Sequence, residues 1–206
     1  MRVDHWVTIL VNLEKLRKHT LAILQHKDAM DRIGKGQQPF PSKPEVEAAL
    51  SSLDETSRAF DELARNGIGT HKPTPVSMAE LANPASRSSA QAKLRSELAQ
   101  RESFLANGRK VVGDAERLSR EAPERAKALR EVRDTFAKLM QAPLPLGTAF
   151  QAQALSYSQL FERASGRMAS VGSAATRAVN RVRPELTQYE KDTETLRANL
   201  RTFGIL

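Results

Sequence analysis

The sequence predicts an all-α protein: an elongated antiparallel helical bundle with coiled-coil character, made of one short and one long helical hairpin. Three observations carry that expectation. Ala, Leu, Arg, Glu and Gln abound while β-branched clusters are scarce. The 40% hydrophobic and 5% aromatic content, beside 27% charged residues, describes narrow apolar stripes rather than a thick core. From Phe150 onward, apolar residues recur in steps of four and three. At 206 residues the chain has the length of one domain, 1–206. It reads as a short hairpin at 4–65, a connecting loop at 66–87 and a long hairpin at 88–203.

The first helix is expected from Asp4 to Ile33, with Trp6, Ile9, Leu13, Leu16, Ile23, Met30 and Ile33 at helical spacing. Gly34 ends it, and the Pro- and Gly-rich "GKGQQPFPSKP" is a turn. Ser42 with Glu45 forms a capping-box pattern for a second helix through Val46, Leu50, Leu53, Phe60 and Leu63. Asn66 and Gly67 stop it, with Ile68 placed to close the cap. In the long connection that follows, Ser77 and Glu80 can cap one or two turns before Asn83-Pro84. About twenty residues is long for a compact domain, so this segment is either functional or laid across the bundle.

The third helical pattern runs from Ser88 to Gln141, and Pro123 is expected to kink or interrupt it. After "APLPLGT", with Thr148 as the expected cap, comes the strongest signal in the chain. The seam includes Phe150, Tyr157, Phe161, Met168, Val171 and Val182, skips register around Pro184, and resumes through Tyr189, Leu196 and Phe203. Each long helix would reach roughly 80 Å if straight. The first hairpin is too short to cover that length, so this seam is expected to be completed by assembly with a protein partner or another copy.

A second stripe, Arg163, Arg167, Ser170, Ala174, Arg177 and Arg181, follows the same rhythm roughly 200° away and is expected to face outward. Arg183 follows two residues after it, and no acidic residue intervenes from Arg163 until Glu185. One reading is internal neutralisation by the acids of the second helix, Glu45, Glu47, Asp54, Glu55, Asp61 and Glu62. The other is an intermolecular surface. By contrast, basic residues within 101–138 have acids four residues away, in the sets Glu116–Arg120–Glu124, Arg117–Glu121–Arg125 and Arg130–Asp134–Lys138. That lacing is expected of a water-facing helix.

Several chemistries lack their residues. Without Cys there is no disulfide, thiolate metal site or cysteine nucleophile. His5, His19 and His26 are spaced by seven or more residues, about 10.5 Å per two turns, too far apart to share one metal on one helix. They read as surface or packing histidines, and His71 as a loop residue. No nucleophile elbow, zincin motif, phosphate loop or dinucleotide fingerprint occurs. No catalytic, cofactor, metal or small-molecule site is therefore expected. No apolar run reaches the roughly 20 residues of a membrane span. The stretch Trp6–Leu13 runs straight into Glu14, Lys15, Arg17 and Lys18, unlike a signal peptide.

The expectation is a non-enzymatic structural or interaction subunit of a larger protein assembly, by analogy with virion or secretion-machine components, in the cytoplasm or in a particle assembled there. The net charge of +8 attracts acidic partners of any kind. The alternative is a nucleic-acid-associated subunit gripping phosphates through Arg163, Arg167, Arg177, Arg181 and Arg183. Without aromatics interleaved among the arginines, such contact would be to backbone and weakly sequence-specific.

Overall fold

A computed structural model describes residues 3–35, 37, 39–69, 76–141 and 147–206; within these, the side chains of 3–5, 26–28, 30, 31, 34, 78 and 147 are not described. The described chain is all-α, with no strand. Its helices are α1 (Val3–Gly34), α2 (Lys43–Asn66), α3 (Met78–Ala82), α4 (Pro84–Gln141) and α5 (Gly147–Thr202).

The helix ends follow local chemistry, with some departures from expectation. Ser77 and Glu80 form the full capping box that starts α3: the Glu80 N–H donates to Ser77 Oγ, and the Ser77 N–H to Glu80 Oε2. Ser42 occupies the N-cap of α2 but its side chain makes no capping bond, so the box expected there does not form; Pro44 in the first turn lacks the donor that would need one. Asn83 caps α4, its side chain accepting from the Ala85 N–H at 3.0 Å. Hence α4 begins at Pro84 rather than Ser88. α5 begins at Gly147, which places Thr148 inside its first turn rather than at the cap. Pro123 and Pro184 each lie within an unbroken helix, so neither divides it.

The path of the bundle follows from a few contacts. Trp6 at the start of α1 meets Phe104 of α4, with ring centroids 5.5 Å apart. Phe40, just before α2, stacks on Phe136 of α4 and Tyr157 of α5 at 5.6 and 5.2 Å. Thus α1 and α4 run one way, α2 and α5 the other. Around the ring the order is α1, α2, α5, α4, and α2 and α4 lie on a diagonal without direct backbone contact among the described residues. The connection after α2 has to reach a diagonal helix that starts beyond the end of the short hairpin. Both requirements account for its length.

The first hairpin covers α4 and α5 over a four-helix body with one core, which includes Trp6, Leu16, Phe60, Leu129, Phe136, Phe161 and Met168. Beyond it, α4 and α5 continue as a two-helix arm with a separate cluster of Leu98, Leu200 and Ile205, against which Leu81 of α3, Leu94 and Leu196 pack. Between the two cores lies a polar layer. Glu97, 3% exposed, pairs with Arg101 at 2.7 Å, Arg101 lies over the Tyr189 ring, and buried Thr193 donates to the Tyr189 carbonyl at 2.8 Å.

The α4–α5 register is marked by cross-helix ion pairs at seven-residue steps: Glu102–Arg197 at 2.7 Å, then Arg109–Glu190, then Glu116–Arg183. Signs alternate along each helix, so a slide by one heptad would set like charges together. Gly172 permits α4 and α5 to approach closely, because a Cβ there would stand 2.6 Å from the Cβ of Ala122.

Candidate interaction surface

The α5 seam is buried within its own chain through the body. Tyr157, Phe161, Met168, Val171 and Val182 are buried, all but Tyr157 at 0% exposure. Phe150, Tyr189 and Leu196 are half-buried. α2 and α4 together supply the cover. From Tyr157 to Val182, the seam could take another chain's helix only if the bundle opened. Tyr157 is additionally tied by its hydroxyl, which donates to the Pro41 carbonyl; burial, with Glu47 nearby, holds this hydroxyl above the usual tyrosine range.

Phe203 does not continue the seam and is 58% exposed. Gly204 adopts a left-handed φ of 64°, and the Ile205 N–H donates to the Leu200 carbonyl at 2.8 Å, a Schellman closure. That turn swings Ile205, 2% exposed, onto Leu200 in place of Phe203. Arg95 secures it by donating to the Ile205 carbonyl at 2.7 Å.

Four of the five arginines reach acids on three helices. Arg167 pairs with Asp54 at 2.9 Å and Arg177 with Asp61 at 2.8 Å, both on α2. Arg181 pairs with Glu185 one turn on at 2.9 Å, and Arg183 with Glu116 of α4. Arg163 is exposed and has no ion pair among the described residues. Arg163, Arg167, Arg177 and Arg181 thus follow one side of α5, partly neutralised by α2, with Arg183 on the flank toward α4, yet Arg177, Arg181 and Arg183 keep more than half of their side-chain surface in water. Pairs this wet contribute about 0–1 kcal/mol each and exchange partners easily. Exposed Gly166, Ala169, Ser170 and Ser173 lie among them.

Ala174 corrects the expected outer stripe: it is fully buried. It shares an angular position with Arg167, seven residues earlier, on the edge of α5 that meets α2. A methyl group is enclosed there, whereas an arginine extends past the edge to Asp54.

The expected lacing of α4 is also revised. Glu121–Arg125 forms at 2.5 Å, but Arg117 takes Asp114, Asp134 takes Arg133, and Glu116 crosses to α5. This leaves Arg120, Lys127 and Arg130 exposed without an ion pair among the described residues. Spacing along one helix misplaces Arg120, whose expected acid Glu116 is used by a different helix, and Arg130, whose expected acid Asp134 is taken by Arg133.

Of the histidines, His19 Nδ1 lies 2.6 Å from Ser52 Oγ across α1 and α2, a packing contact. The side chains of His5, His26 and His71 lie outside the described residues. Among the described residues no group of His, Asp and Glu could hold a metal, and no helix is long and apolar enough to cross a membrane. No family model, curated protein or solved structure matches the chain.

Proposed function

We propose that the protein is a non-enzymatic helical subunit of a larger protein assembly, of the virion or secretion-machine kind, and that it binds an acidic partner through the outer face of α5. The observation behind this reading is the concentration of Arg163, Arg167, Arg177 and Arg181 on one exposed side of that helix, with exposed Arg183 on its flank toward α4. Their ion pairs are wet enough to be traded for a partner's carboxylates. In this reading the heptad seam holds the body together, and its outer face makes the association.

A second reading, phosphate-backbone binding, draws on Arg120, Lys127, Arg130 and Arg163, four of the exposed cations on α4 and α5 that have no ion pair among the described residues. Light scattering at low and high salt, with and without nuclease, separates the two. A complex with acidic protein that survives nuclease supports the first; bound nucleic acid that leaves steeply with salt supports the second. Arg167→Glu with Arg177→Glu should keep the helical circular dichroism and weaken partner binding about tenfold or more. Undiminished binding by that variant would remove the role given to the arginines.

A further inference from the structure

Three of the large apolar side chains most open to water, Val7, Val11 and Leu21, lie on α1 at 47%, 48% and 47% exposure. The outer face of α2, by contrast, carries Ser51, Glu55 and Arg58. A helix with apolar residues around its circumference is ordinarily enclosed on every side, yet among the described helices α1 is covered by α2 and α4 alone. Val7 and Val11 form one lip of a groove of about 590 Å³ between α1 and α4, floored by Leu10 and Leu118.

The other lip is charged. On α4, Asp114 and Glu121 are already bonded to Arg117 and Arg125 at 2.8 and 2.5 Å. Lys110 on that lip and Arg17 on α1 have no ion pair among the described residues, and Glu14 is the one groove acid in the same state. Lys15 and Lys18 extend the positive edge of α1. A trough between two parallel helices has the shape to receive a third. Its occupant should be apolar along the edge facing Val7 and Val11, and acidic on its flanks. A nucleic-acid strand would leave the valines uncovered. A second copy of α1 would bring Lys15, Arg17 and Lys18 against their own kind.

We infer that the α1–α4 groove docks an amphipathic, acidic helix of a partner protein. This rests on the reading of the chain as an interaction subunit but uses a face separate from the α5 arginines. The test is fluorescence anisotropy with a three-heptad helical peptide, Leu at its core positions and Glu at its flanks, against the same peptide with Lys flanks. The Glu peptide should saturate at one per chain and bind at least about tenfold tighter than the Lys peptide. Val11→Asp should weaken it about tenfold, and Arg17→Glu with Lys110→Glu should invert the preference. Should Val11→Asp disturb the helical signal, the charge reversal decides alone.

Equal affinity for the two peptides, or no binding of either, would overturn the inference. So would a preference for phosphatidylserine vesicles, or a concentration-dependent dimer lost on Val11→Asp. Arg167→Glu with Arg177→Glu should bind the Glu peptide normally. Failure of the groove and failure of the α5 face are therefore separate results.

Discussion

The body and the arm carry the same α5 periodicity and bury it differently. In the body, Phe161, Met168 and Val171 are fully enclosed by α2 and α4. In the arm, where α2 has ended, Leu196 is only half-buried, and Leu200 packs with Leu98 of α4 and with Ile205, which the turn at Gly204 brings onto it. A heptad rhythm specifies which edge of a helix is apolar; the number of neighbouring helices decides how dry that edge becomes. The polar layer of Glu97, Arg101 and Thr193 lies where one regime gives way to the other. It divides the apolar surface into two clusters rather than one continuous core.

The sharpest way to break the comparison is Met168→Asp. A carboxylate placed at 0% exposure without a partner should cost about 4 kcal/mol or more and abolish cooperative folding, read by urea denaturation. If that variant stayed folded, the body would not be the close-packed region described.

A smaller effect is expected at the boundary. Arg101→Ala leaves Glu97 buried without its guanidinium and should destabilise the arm by about 3 kcal/mol, with Glu97→Gln restoring part of the loss. Amide exchange should quicken around Leu98 and Leu200 while the turns around Phe161 stay protected. Uniform loss of protection would mean that body and arm open as one unit.

The smallest effect belongs to the cross-helix ladder. Arg183→Glu should cost under about 1 kcal/mol, and adding Glu116→Arg should recover it, as measured by a double-mutant cycle in thermal melts. A coupling near zero would leave register to apolar packing alone.

The helix spans and the seam through Val182 were legible because both depend on local pattern. Phe40 was not: a residue in a Pro-rich turn has no periodicity, yet it fills the space between Phe136, Phe150 and Tyr157. The partners of Arg167, Arg177 and Arg183 were illegible in detail, since their acids lie on other helices and sequence spacing reports only neighbours along one helix. Internal neutralisation by α2 is one of the readings the sequence leaves open, and Asp54 and Asp61 supply it in part. Phe203 followed the rhythm, but Gly204 beside it already carried the signal for a helix stop that would redirect the next apolar residue.

The central claim is that the α5 seam from Tyr157 to Val182 is completed within one chain. Native-state hydrogen exchange across a hundredfold range of protein concentration tests it most directly. The account predicts that protection of these amides stays constant on dilution, while 196–205 exchanges faster throughout. Protection of 157–182 that falls as the protein is diluted would contradict it, because the seam would then depend on another chain.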